Sequence, residues 1–179
     1  AGIRARDGIN WLDDQVAIGI DTFGDGRYYV RFSANPLGSI GDNKVDNKDD
    51  FDGSYNVEFD AKARITNLGY EVEFVIPFSS LNFPDTKNQE LTLMLSRKLY
   101  NKGTESRYMN YAKIDGAGCI ICQSNEIYSV ENIVKKNKKR LIPSLTANSI
   151  RERNQDGDMI EEPVETEVSL GGEYEFNGN

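Results

Sequence analysis

Apolar residues in the first half of the chain recur at every second position. Val16, Ile18 and Ile20 alternate with Ala17 and Gly19, and Tyr28, Val30 and Phe32 alternate with Tyr29, Arg31 and Ser33. Val57, Phe59, Ala61 and Ala63 alternate with Glu58, Asp60, Lys62 and Arg64. The same pattern runs through Tyr70, Val72, Phe74 and Ile76, and again through Leu91, Leu93 and Leu95. A period of two is the signature of β-strands. Polar partners at the alternate positions predict antiparallel sheets, with one face on a core and the other mostly in water. Turn chemistry falls between these runs. Gly24-Asp25-Gly26 separates the first pair, and Asn67-Leu68-Gly69 closes the third and fourth as a hairpin. No long amphipathic helix is visible; Pro77 to Leu81 suits a single helical turn with proline near its start. The pattern predicts an all-β fold, an antiparallel β-sandwich over residues 1–140.

The last quarter reads differently. Asn132 to Arg140 is basic and fits a solvated loop or a short helix. Leu141 to Ile150 is strand-like, and Arg151 to Pro163 is a polar connection. Val168, Leu170, Tyr174 and Phe176 then share one face, with Glu167, Ser169, Gly171, Glu173 and Glu175 on the other. A strand of roughly ten residues with one apolar face and aromatics near its end matches a transmembrane β-barrel strand. It matches equally one more hairpin of the sandwich. A lone hairpin cannot close a barrel, because an open edge is not tolerated in lipid. Residues 141–179 are therefore expected to be either an extra hairpin or the start of a β-barrel.

Composition narrows the chemistry. The 179 residues carry a formal net charge of −8, which argues against a nucleic-acid partner. No apolar run is long enough for a transmembrane helix, and the start, Ala1-Gly2-Ile3-Arg4, does not read as a signal peptide. The chain has 0 histidines, which excludes Ser-His-Asp and Cys-His nucleophile arrangements and the commonest zinc and haem ligand. A haem or electron-transfer role would have to rely on Met94, Met109 or a lysine. Carboxylates are plentiful, but no pair stands out at the separation a glycosidase needs.

Four segments, in order, resemble the carbohydrate-binding module family 9-like domains. They are Asp13-Asp14-Gln15-Val16 leading to Asp21-Thr22-Phe23, then Asn35-Pro36-Leu37-Gly38, then Ala63-Arg64-Ile65 with Gly69 to Leu81, and finally Cys119-Ile120-Ile121-Cys122-Gln123. The last is similar to a motif of a bacterial branch in which the domain precedes an outer-membrane β-barrel of unassigned function. The resemblance covers about residues 3 to 176. It implies a β-sandwich, a periplasmic or outer-membrane location, an oligo- or polysaccharide ligand linked to carbohydrate catabolism, and a barrel within the same polypeptide. Domains of this group have further strands before the first motif, so the sandwich is expected to lack its first strands. The sugar-stacking residues of the group's xylanase-linked members do not map onto this chain. A structural plug or docking role without a sugar, and an association with a glycoside hydrolase, are the alternatives.

Three sets of residues are candidates for a site. Asp42, Asp46, Asp49, Asp50 and Asp52 crowd a polar segment with Asn and Gly, and Asp21 and Asp25 end the neighbouring strand. Calcium takes six to eight oxygens from such groups, and the resemblance implies structural calcium; a solvated, self-repelling loop is the other reading. Trp11, Tyr29 and Tyr55 are candidates to stack on a sugar ring, with ordinary packing as the alternative for each. Cys119 and Cys122 form a lone C-x-x-C without the second pair that zinc would want. In an envelope protein a local disulfide is expected for them.

Overall fold

The computed structural model describes residues 2–9, 13–101, 104–111, 114, 116, 118–133, 139–153, 156–161 and 163–174. The chain divides into two compact units, Ala1–Val134 and Lys135–Asn179. Among the described residues every regular element is a β-strand, apart from two single 3-10 turns. The protein is all-β.

The first unit is built on one large antiparallel sheet. Its strands are β1 (Gln15–Asp21), β2 (Tyr28–Ala34), β3 (Ile40–Asp46), β4 (Phe51–Asp52), β7 (Asn88–Asn101), β8 (Thr104–Met109) and β9 (Ile127–Glu131). They lie in the order β4-β3-β2-β1-β7-β8, with β9 also on β7. The 14-residue β7 makes this possible. One of its edges pairs with β1, while the other holds β9 along Asn88–Thr92 and β8 along Ser96–Asn101. The second layer is the hairpin β5 (Asp60–Thr66) and β6 (Gly69–Val75), closed at Thr66 and Gly69 around Asn67 and Leu68 as the turn residues predict. The 3-10 turn at Phe78–Ser80, with Pro77 at its cap, is the single helical turn expected there.

The core between the two layers follows from the alternation. Ile20, Val30, Phe32 and Ala34 of the large sheet pack on Phe59, Ala61, Leu81 and Phe83, with Val72 and Phe74 against them. Phe32 is fully buried, and its ring meets that of Phe59 edge-on with centroids 4.9 Å apart.

The opposite face of the large sheet departs from expectation. Instead of meeting water throughout, it carries a second core of Tyr29, Val45, Met94 and Ile121, with Tyr111, Cys119 and Ile120 around it. Gly19 makes room for this packing: a Cβ there would lie 2.8 Å from the Tyr29 ring and 2.9 Å from the Met94 methyl. The cover is the loop around the 3-10 turn Ile121–Gln123, clipped by the disulfide Cys119–Cys122 that the envelope reading anticipated. A further departure is β3, which occupies half of the segment read as an acidic loop. It pairs Phe32 with Asp42 and Arg31 with Asn43, so these polar residues belong to the sheet.

The second unit contains the long pair β10 (Lys139–Asn148) and β13 (Glu165–Tyr174) and the short pair β11 (Arg151–Arg153) and β12 (Met159–Glu161). The short pair lies within the segment read as a polar connection. In the long pair, Leu145 faces Val168 and Pro143 faces Leu170, while Ser144 faces Ser169 and Thr146 faces Glu167. Cross-strand partners share a face, so one face is apolar and the other polar. Leu141, Leu145, Val168 and Leu170 are all exposed.

Candidate functional site

The expected calcium ligands are dispersed among separate structural tasks. Asp21 is buried at the end of β1, where Oδ1 accepts the N–H groups of Phe23 and Gly24 at 2.9 Å and Oδ2 accepts that of Gly26 at 2.8 Å. It caps the turn between β1 and β2. Asp25 accepts the backbone N–H and Nε of Arg27, and these bonds hold its carboxyl below the usual carboxylate range. Asp42 is buried between the Arg6 guanidinium at 2.6 Å and the Val57 N–H at 2.8 Å; its burial raises its pKa against those two bonds. Asp46 accepts the N–H groups of Lys48 and Asp50, and Asp52 accepts the N–H and hydroxyl of Ser54. Asp49 accepts the N–H of Ile120 at 3.0 Å and so ties the acidic turn to the disulfide loop. Asp50 is exposed. Among the described residues, no three His, Cys, Asp or Glu side chains converge to hold a metal.

The aromatic candidates fare differently from one another. Tyr29 is 1% exposed beneath the disulfide loop, and a ring with no free face cannot stack on a sugar. Its expected role is corrected accordingly: the position opposite Tyr28 leads into the second core. Tyr55 is half-buried against the first core. Trp11 lies outside the described residues.

The open concavity lies elsewhere. β6 reaches only part of the way across the large sheet, and its far edge has no strand partner among the described residues. Beyond it, Leu95 and Arg97 of β7 and Tyr108 of β8 are exposed. The result is a cleft of about 420 Å³ floored by Val16, Val72, Phe74 and Leu95 and edged by Arg97, Tyr108 and Asn110. Leu95 is 50% and Tyr108 58% exposed. The pairings Val16 with Arg97 and Arg97 with Tyr108 place these three side chains side by side on one face. The Arg97 guanidinium sits 5.2 Å from the centre of the Tyr70 ring, a cation–π contact that orients it at the mouth of the cleft. Asn110 accepts the Leu95 N–H through Oδ1 at 2.9 Å, which fixes its amide in place. An apolar floor with a few fixed polar groups at the rim is the usual make-up of a small-molecule site. Sequence reasoning missed this site because Tyr108 lies in a short polar strand without alternation, and only the pairing of β7 with β8 brings it beside Leu95 and Arg97.

Comparison with protein-family models, with curated proteins and with solved structures finds no match for the chain.

Proposed function

We propose that the first unit is a non-catalytic carbohydrate-binding module of a cell-envelope protein, and that its ligand is an oligo- or polysaccharide held in the cleft beside β6. The observation that carries the reading is the union, in one cleft, of an exposed tyrosine, an apolar floor and fixed hydrogen-bonding groups. A pyranose presents an apolar C–H face to a ring and its hydroxyls to donors and acceptors. Tyr108 and Leu95 serve the first need, and Arg97, Asn110 and the free edge of β6 the second. None of the residues lining the cleft is a carboxylate, whereas a glycosidase needs two across the scissile bond. Titration against a panel of soluble plant and bacterial oligosaccharides tests the assignment. At least one should bind saturably, and Tyr108→Ala and Arg97→Ala should each weaken it about tenfold, the loss of about 1.4 kcal/mol. Absence of binding across the panel, or binding indifferent to both substitutions, refutes it.

A second reading concerns the other unit and is favoured by its β10–β13 pair. Ten-residue strands with one face apolar and the other polar are the repeating element of membrane β-barrels. A two-stranded hairpin is marginal in water by itself. We propose that this pair is a hairpin of an outer-membrane barrel, closed by further strands. Hydrogen exchange on the pair joined to its further strands tests it: in detergent micelles the amides of Leu145 and Val168 should be protected, whereas in the pair alone in water they should exchange quickly. Unchanged exchange in micelles refutes it.

A further inference from the structure

The cleft beside β6 carries a single charge. Arg97 is the one charged residue among those lining it, and the rest are apolar or neutral. Acidic residues outnumber basic ones in the chain by 29 to 21, so a cleft with a cation and no carboxylate departs from the average surface. Arg97 also differs from the other arginines of the first unit. Arg4, Arg6, Arg27, Arg64 and Arg107 each hold a carboxylate, on Asp13, Asp42, Asp25, Glu71 and Glu105, and Arg31 bonds the Gln15 amide. Arg97 is exposed and makes no ion pair among the described residues; its contact is with the face of the half-buried Tyr70 ring. Asp14, just before β1, gives its carboxylate to the Tyr100 N–H at 2.6 Å and does not line the cleft.

The sheet register sets where this charge meets a ligand. Arg97 and Tyr108 are direct cross-strand partners on β7 and β8. Their Cβ atoms therefore stand about 4.5–5.5 Å apart on one face. A pyranose lying on the Tyr108 ring turns its rim, and not its face, towards Arg97. The contact with Tyr70 engages the positive charge of the guanidinium and leaves its N–H fork for a planar acceptor. The other polar group at the rim is also biased towards donation. Asn110 has already committed its amide oxygen to the Leu95 N–H, so its NH2 is what it offers a ligand.

We infer that the saccharide is acidic, with a uronate ring on Tyr108 and its carboxylate on Arg97. The inference rests on the glycan reading of the cleft and adds the class of sugar to it. A neutral hexose carries a CH2OH group on its rim where a uronic acid carries a carboxylate. Both would stack equally well on Tyr108, and only the second has two oxygens to match the two parallel N–H donors of a guanidinium. No carboxylate lines the cleft to repel the charge. Arg97 is thus the residue that sets specificity, and Tyr108 the one that supplies stacking common to both kinds of sugar.

The test titrates the full chain by isothermal calorimetry with uronate oligomers of the gluco, galacto and manno series, each also as its methyl ester, and with neutral and sulfated oligosaccharides of the same length. The ester keeps the ring and its stacking face and removes the charge. In at least one series the acid should bind at least tenfold tighter than its ester. Arg97→Gln should bring the acid down to the affinity of the ester. Tyr108→Ala should weaken acid and ester by a similar factor and so preserve their ratio. Arg97→Lys keeps the charge without the fork and should retain only part of the preference; the comparison of acid with ester in the unaltered protein stands even if a variant fails to fold. Esters or neutral sugars binding as tightly as the acids, or a preference that survives in Arg97→Gln, overturns the acidic assignment and leaves the glycan cleft in place. A sulfated oligosaccharide preferred over every uronate overturns the carboxylate. Absence of binding by acid, ester and neutral sugar alike removes the glycan reading and this inference with it.

Discussion

The turn between β1 and β2 depends on one carboxylate, and replacing it has a magnitude that can be worked out. Asp21 is 2% exposed and accepts three backbone N–H groups, from Phe23, Gly24 and Gly26. In Asp21→Ala all three lose their acceptor. Phe23 and Gly24 are exposed and can turn to water, so each loses only the net value of a hydrogen bond, roughly 0.5–1 kcal/mol. Gly26 is buried under the disulfide, and its N–H would stand unsatisfied at about 1–3 kcal/mol. The sum is about 3 kcal/mol. Asp21→Asn keeps one side-chain oxygen as an acceptor and should lose about half as much. Urea unfolding followed by far-UV circular dichroism measures both; with a slope of about 1–3 kcal/mol/M the alanine midpoint should fall by at least about 1 M. A loss under about 1 kcal/mol for alanine would refute the cap. So would a wild-type midpoint that rises with calcium while that of Asp21→Ala does not, because the carboxylate would then be acting as a metal ligand.

Two further substitutions probe the two cores. Gly26 has φ +69°, and a Cβ there would run into Cys122 Sγ; Gly26→Ala should therefore cost about 1–2 kcal/mol for the backbone and a further 1–3 kcal/mol for the clash. In a Cys119→Ser, Cys122→Ser background the clash component should shrink, and an identical cost in both backgrounds, measured by urea unfolding, would contradict this account. Phe32→Ala empties the centre of the first core beside Phe59 and should cost about 3–5 kcal/mol, read as a drop in thermal midpoint; a cost below about 1 kcal/mol would mean that the two layers are not packed through this ring.

What the sequence discloses follows from how local each signal is. The strands β1, β2, β5, β6 and part of β7 are legible because one of their faces packs on the other layer, so the period of two survives in the residues themselves. The turns at Gly24-Asp25-Gly26 and Asn67-Leu68-Gly69 are legible because their backbone geometry demands particular residues. β3 is not, since its alternate position is Asp42, a carboxylate buried by virtue of Arg6, which comes from the N-terminal segment 36 positions away in sequence. The second core is also hidden. Ala17 and Gly19 look like the unremarkable partners of Val16 and Ile18, and nothing local reveals that Ile121 and the clipped loop will cover them. The acidic segment looks like one cluster along the chain, yet its carboxylates point into different turns, and side-chain to backbone bonds of that kind compete with any shared ligand.

The strand that organises the proposed glycan cleft is β7, and its length is the reason. The β5–β6 layer spans too little of the sheet to cover it, so Leu95 and Arg97 are left at the cleft with Tyr108. On the reverse side the disulfide loop covers Met94, and Lys98 is buried. Successive residues of a strand point to opposite faces, so positions 95 to 98 alternate between the cleft face and the reverse face within a single stretch of backbone. Sugar binding should therefore follow the face: substitutions at 95 and 97 should weaken it, and Lys98→Met should not. A loss of sugar binding in Lys98→Met would indicate that the strand itself had shifted, since this side chain is not among those lining the cleft.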